Sequence, residues 1–64
     1  MRLTVFWELM TRRFGAAYAE SLARDVVLAA LDGRTVLEGL EAGIDPKDVW
    51  LAVSEYAEVP VPDR

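Results

Sequence analysis

Two pairs of carboxylates stand at a spacing that could bring oxygen ligands together on one face of a helix. Glu38 and Glu41 form one pair, and Asp45 and Asp48 form the other, each three residues apart. Mg²⁺ or Ca²⁺ usually requires further carboxylates or substrate phosphates. Acidic residues in the first turn of a helix are stabilised by its dipole without any ligand. We therefore expect both pairs to serve helix capping, and we predict no metal site.

The sequence contains neither Cys nor His. Their absence excludes disulfide frameworks, thiolate zinc sites and thiol nucleophiles, together with the commonest general base. The carboxylate pairs also lack a visible basic partner that would separate their pKa values for acid–base work. We therefore predict that the protein is not an enzyme and that it has no catalytic residue, no cofactor and no small-molecule ligand.

A small basic patch is expected from Arg12, Arg13 and Arg24 on the two N-terminal helices. Arg12 and Arg13 lie near the end of a predicted helix, where the dipole favours cations, so a structural role accounts for them. If the patch has a binding function, an acidic protein surface suits it better than a nucleic acid. That surface could belong to a second copy of the chain.

The segment 35–57 resembles a helix-turn-helix in its spacing of Gly39, Gly43 and Ile44. A recognition helix needs basic or amide side chains near its N-terminus to reach base edges and phosphates. Here the second helix offers Lys47 together with several acidic residues. Packing of two short helices joined by glycine explains the spacing, and a DNA-associated regulator is retained only as the alternative function.

Helical periodicity dominates the chain, and glycine and proline punctuate it at intervals that suit short helices. We predict an all-α fold, a compact bundle of about four short helices with an extended C-terminal tail. The helices are expected at about residues 4–14, 16–31, 35–42 and 46–57. The domain itself covers residues 1–59, and the proline-containing tail covers residues 60–64.

Four local signals set these boundaries. Thr4 is a suitable cap for the first helix, and Gly15 stands just past its end. Thr35 and Glu38 have the spacing of a capping box. Asp45 followed by proline is typical of the start of a helix.

The predicted end of the second helix is apolar almost all round, which favours burial on more than one side. The two tryptophans add large apolar area that so short a chain cannot easily enclose. We therefore predict that part of the apolar surface contacts a protein partner or a second copy. The residues of this predicted interaction surface are Trp7, Val27, Leu28, Leu31 and Trp50.

The composition also favours an apolar surface that contacts a partner, because 53% of the 64 residues are hydrophobic. The net charge of the chain is −4. All of that net charge belongs to residues 33–64, which carry three basic and seven acidic side chains. An acidic half opposes phosphate binding, so we do not expect a nucleic-acid partner.

No apolar run approaches the length of a membrane span, and the N-terminus has no signal-peptide pattern, so we expect a cytoplasmic protein.

Five segments together resemble an actinobacterial domain-of-unknown-function family, number 3046, and they are collinear with it over nearly the whole chain: Met1–Trp7, Phe14–Ala19, Ala23–Asp25, Gly33–Val36 and Gly43–Trp50. The resemblance implies a small cytoplasmic helical protein with no assigned activity, catalytic residue or cofactor. It carries over no functional residue. Together with the composition, it leads us to predict a noncatalytic protein-interaction or small regulatory module.

Overall fold

A computed structural model describes the whole chain, from Met1 to Arg64. It contains four helices, one two-stranded antiparallel sheet and two 3-10 turns. The helices are α1 (Leu3–Phe14), α2 (Ala16–Asp25), α3 (Val36–Glu41) and α4 (Pro46–Ala57); the strands are β1 (Val27–Leu28) and β2 (Arg34–Thr35); the 3-10 turns are Ala29–Leu31 and Val61–Asp63. The fold is therefore mostly α, and the prediction of a strictly all-α bundle is wrong in that detail.

The core lies where α1, α2 and α4 meet over the short sheet. Phe6 is fully buried at its centre, and its ring meets two tryptophans edge-on, Trp7 at 5.2 Å and Trp50 at 6.4 Å between centroids. The other large side chains with no more than 1% exposure are Met10, Leu22, Leu28, Val36, Val49, Val53 and Val59. None of the helices combines the length and the apolar character that crossing a membrane would require.

Gly15 alone joins α1 to α2. Its backbone angles, φ 83° and ψ 152°, lie in a region that is essentially restricted to glycine. The predicted stop of the first helix is therefore confirmed. The predicted cap at Thr4 is wrong, because α1 begins one residue earlier, with Arg2 at the cap position and no side-chain hydrogen bond there.

The second helix ends at Asp25 instead of continuing to Leu31. Val26 caps it in an extended conformation, and Val27 then pairs with Thr35 in the sheet. β-branched residues favour extended backbone. The neighbouring strand provides backbone pairing for the residues that follow the end of the helix. The apolar residues that looked like an all-round helix surface therefore face in different directions: Leu28 is 1% exposed, whereas Val27 is 58% exposed.

The starts of α3 and α4 confirm the sequence predictions. Thr35 and Glu38 form a capping box, in which the Thr35 N–H donates to the Glu38 carboxylate at 2.9 Å and the Glu38 N–H donates to the Thr35 hydroxyl at 3.2 Å. Asp45 Oδ1 accepts from the Lys47 N–H at 2.8 Å, and Pro46 opens the helix. These caps satisfy amides that a helix cannot pair internally.

The C-terminal segment folds back instead of extending as predicted. Glu58 takes the left-handed conformation, with φ 56°, and the Val59 N–H donates to the Ser54 carbonyl at 2.9 Å. This pattern is a Schellman-type helix end, which commonly buries an apolar residue just past the helix. Val59 is fully buried accordingly, and the 3-10 turn at Val61–Asp63 follows it.

Candidate functional site

A cleft of about 410 Å³ lies between the end of α1, the middle of α4 and the C-terminal segment. We call it the arginine cleft. Its lining residues are Leu9, Arg12, Arg13, Trp50, Val59, Pro62 and Asp63. The volume falls within the range of ordinary ligand sites. The Schellman-type end of α4 creates the cleft, because it turns the chain back so that residues 59–63 form the side opposite α1.

The two arginines of this cleft have no carboxylate partner. The three ion pairs of the structure use Arg24, with Glu20 and Asp25, and Arg34, with Asp32. Arg12 and Arg13 are exposed in the last turn of α1, where the helix dipole favours cations. Arg24, the third residue of the predicted patch, does not line the arginine cleft and is paired with the acids of its own helix.

Trp50 is one of the two buried residues of the arginine cleft; the other is Val59. Only 3% of Trp50 is exposed, and its edge-on contact with Phe6 anchors the ring in the core. Its Nε1–H donor is buried and has no acceptor. A buried donor without a partner costs free energy, and most such groups in proteins are satisfied. Trp50 thus contributes a largely buried aromatic ring to this cleft, and its N–H has no partner within the chain.

Another guanidinium group lies near the same wall. Arg64 Nε donates to the carbonyl oxygen of Val59 at 2.6 Å, next to a lining residue of the arginine cleft. Asp63 is the one carboxylate among the lining residues, and it makes no ion pair with Arg12 or Arg13. Positive charge thus exceeds negative charge at this end of a chain whose net charge is −4.

A smaller concavity, of about 210 Å³, lies between α4 and the Ala29–Leu31 turn. We call it the alanine groove. Leu28 and Ala52 are its buried residues, and Ala29, Ala30, Glu55 and Tyr56 are its exposed ones. Its lining is apolar except for the carboxylate of Glu55 and the hydroxyl of Tyr56. No residue is shared between the alanine groove and the arginine cleft.

The five residues of the predicted interaction surface occupy different environments. Val27 is exposed and Trp7 is half-buried against the core. Leu28, Leu31 and Trp50 are between 1% and 4% exposed. Most of their area is therefore used inside the chain, although Leu28 lines the alanine groove and Trp50 lines the arginine cleft. The interaction surface as such stays a prediction.

The residues of the two carboxylate pairs lie at or near the ends of α3 and α4. Glu38 and Asp45 act as described in the caps of α3 and α4, while Glu41 is the last residue of α3 and so lies away from its first turn. The hydrogen bond donated by the Thr35 N–H is the main cause of a lowered pKa of Glu38; the Thr35 hydroxyl and the charge of Arg34 act in the same direction. The structure has no group of three or more acidic side chains that could hold a metal ion.

The lowered pKa of Glu38 predicts acid sensitivity. A carboxyl whose pKa is depressed by folding stabilises the protein above its unfolded pKa, and this contribution is lost as the pH falls through the folded pKa. Glu38→Gln retains a neutral capping partner but removes the charge. We expect wild type to be the more stable protein in urea unfolding at neutral pH, and the difference to be lost as the pH falls through the lowered pKa of Glu38.

Glu41→Gln serves as the matched control for this measurement, because it removes one negative charge from the same helix without touching the cap. A stability difference between wild type and Glu38→Gln that persists unchanged in acid would contradict the assignment.

The segment that resembles a helix-turn-helix is a packed corner. A Cβ atom on Gly39 would lie 3.1 Å from Leu31 Cδ1, 3.7 Å from Ile44 Cδ1 and 3.8 Å from Val49 Cγ2. The absence of a side chain at Gly39 therefore leaves room for the close approach of the Leu31 side chain. Lys47 is exposed at the start of α4, but Asp48 beside it is exposed as well.

Sequence reasoning missed both concavities. Each one is built by elements distant in the chain, and the arginine cleft depends on the return of the C-terminal segment. The available signal was Val59, an apolar residue directly after the last helix and before Pro60, which is typical of a Schellman-type end.

Comparison with known proteins adds one result to this geometry. The model of a family described as "protein of unknown function (DUF3046)" matches residues 1–62. Neither the curated proteins nor the solved structures give a match. The resemblance identified from the five sequence segments is thereby confirmed.

Proposed function

We propose that this chain, which belongs to the DUF3046 family of proteins of unknown function, is a noncatalytic protein-interaction module. One observation carries the proposal: the alanine groove leaves an apolar concavity open beside α4, with exposed Ala29, Ala30 and Tyr56 around it. Apolar concave surface of this kind, edged by polar residues, is typical of an interaction site.

The chemistry of the side chains supports a binding role in preference to a catalytic one. The chain has no Cys or His. The Glu38 carboxylate is committed to a helix cap. The Trp50 N–H is a donor that cannot transfer its proton at ordinary pH. What these groups can do is hold a partner in place.

The charge around the alanine groove defines the partner that it fits. Glu55 lies at the groove, and the half of the chain that contains α3 and α4 has four more acidic than basic side chains. An apolar segment flanked by lysine or arginine would match both the lining and the charge. We therefore propose a partner protein with such a segment. A second copy of the chain is the alternative occupant.

No structural feature favours the alternative function in DNA regulation. The exposed face at the start of α4 sets Asp48 beside Lys47, and Gly39 is accounted for by packing. A duplex would also approach the acidic half of the chain.

A photo-crosslinking side chain placed at Ala30 tests the proposal in extracts of the source cells. We expect a discrete adduct with a protein partner. Tyr56→Ser should weaken the interaction by about tenfold, because an exposed aromatic residue at an interface commonly contributes that much. Tyr18→Ser is the matched control, since Tyr18 and Tyr56 are equally exposed at 53% but Tyr18 lies on α2, outside the groove.

Light scattering after size-exclusion chromatography distinguishes a partner protein from a second copy of the chain as the occupant of the alanine groove. A monomer whose adduct with another protein is weakened by Tyr56→Ser and kept in Tyr18→Ser supports the proposal. A stable dimer whose formation depends on Tyr56 assigns the groove to a second copy. A monomer without any adduct, or adducts that survive Tyr56→Ser and Tyr18→Ser equally, would contradict the assignment of the groove.

A further inference from the structure

The arginine cleft is a second concave surface, and its charge is opposite to that of the alanine groove. It combines the guanidinium groups of Arg12 and Arg13 with an apolar lining from Leu9, Trp50, Val59 and Pro62. A helix dipole accounts for cations at the end of α1, but it does not account for an apolar floor directly beside them. The combination is suited to a ligand that carries both negative charge and an apolar group.

We infer that the arginine cleft binds an acidic peptide segment of a partner protein, with carboxylates on Arg12 and Arg13 and an apolar side chain against Trp50. Guanidinium groups match carboxylates in shape and hydrogen-bonding geometry. Neither arginine forms an ion pair within the chain, so neither has to break one in order to bind a ligand. The cleft volume of about 410 Å³ accommodates a few side chains.

The unpaired indole of Trp50 is the second observation that supports a ligand. The residue lines the cleft, is 97% buried, and keeps an Nε1–H without an acceptor. A peptide bound in the cleft therefore lies against an aromatic ring whose buried N–H has no acceptor within the chain.

Charge distinguishes a peptide from a nucleic acid at this site. Binding to duplex DNA commonly neutralises several phosphates. The cleft offers two lining arginines and also places Asp63 among its lining residues. Two carboxylates on a short segment are balanced by these two arginines, and Asp63 opposes a longer run of negative charge.

The test is a nuclear magnetic resonance titration with capped heptapeptides. In the first, a leucine stands between two glutamates and the other residues are glycine and serine. In the second, glutamines replace the glutamates, and in the third, alanine replaces the leucine. We expect the first peptide to shift the resonances of Arg12, Arg13 and the Trp50 indole, and each of the others to bind about tenfold more weakly.

Arg12→Gln/Arg13→Gln should weaken binding of the first peptide by about tenfold. Arg2→Gln/Lys47→Gln is the matched control. It removes the same charge from two exposed residues that make no ion pair and do not line the cleft, so peptide affinity should change little. All four positions are exposed, and circular dichroism verifies that both double variants fold.

Several results would overturn the inference. These are no shifts at millimolar peptide, equal binding of the glutamine peptide, or equal loss in the two double variants. Inorganic phosphate that displaces the peptide at equal concentration would identify a general anion site, and tighter binding of a single-stranded oligonucleotide would identify a nucleic-acid site. Dimerisation that depends on Arg12 and Arg13 would assign the cleft to a second copy. Because the peptide assay does not involve Tyr56, its failure leaves the proposal for the alanine groove intact.

Discussion

Phe6→Ala is expected to destabilise the protein by about 3–5 kcal/mol, the range for removing a buried aromatic ring. Phe6 is fully buried, and its ring is the only one that contacts both tryptophans, so its loss opens a cavity between α1 and α4. A chain of 64 residues typically has a total stability of roughly 3–10 kcal/mol. The variant is therefore expected to lose a large share of its stability, and it is largely unfolded at 25 °C where the wild-type value lies at the lower end of this range.

Urea unfolding followed by tryptophan fluorescence measures the effect, since both tryptophans lie beside the cavity. Phe6→Leu keeps most of the apolar volume and should lose less than half as much stability. This second variant provides a measured value even if Phe6→Ala has no folded baseline. A loss below about 1 kcal/mol for Phe6→Ala would show that the aromatic contacts do not organise the core.

Gly39→Val is expected to destabilise the protein by about 1–3 kcal/mol through overpacking. The first added atom alone would lie 3.1 Å from Leu31 Cδ1, and the two further methyl groups of valine have to enter the same space between Ile44 and Val49. A solvent-facing glycine would give the opposite result, because valine is a better helix former than glycine. The sign of the effect therefore distinguishes the packed corner from an exposed turn.

A double-mutant cycle identifies the clash. Leu31→Val shortens the side chain that stands nearest to Gly39, so Gly39→Val should cost less in this background than in wild type. Glu41→Val, on the exposed side of α3, is the matched control and should change stability by less than about 1 kcal/mol. Equal costs of Gly39→Val in the two backgrounds would show that Leu31 is not the obstacle. Thermal unfolding followed by circular dichroism measures the stability of wild type and of the four variants.

The sequence predicted helix ends well where a local interaction determines them. The Thr35 and Glu38 capping box, the Asp45 cap and the stop at Gly15 involve residues within four positions of each other, and all of them are present. The segment 26–31 was mispredicted as the end of the second helix because local periodicity suits a helix there. Its conformation is decided by pairing of Val27 with Thr35, eight residues away.

The two concavities were beyond sequence reasoning for a related physical reason. Arg12 and Pro62 lie fifty residues apart, and they share a cleft only because the Schellman-type end of α4 reverses the chain and buries Val59. Of the two tryptophans that so short a chain was expected not to enclose fully, Trp7 is half-buried, and the other is enclosed. Trp50 is 3% exposed, since α1 and the C-terminal segment together cover it.

The single-residue corner at Gly15 also bears on how the chain could exchange structure with another copy. If Gly15 adopted helical angles, residues from Leu3 to Asp25 would form one continuous helix about 34 Å long. The folded molecule measures only 24 Å in its longest dimension. In such a form α1 could not reach its own α4, and Phe6 would find a core only in a second molecule. The positive φ of one glycine thus turns α1 back so that Phe6 meets Trp50 of the same chain.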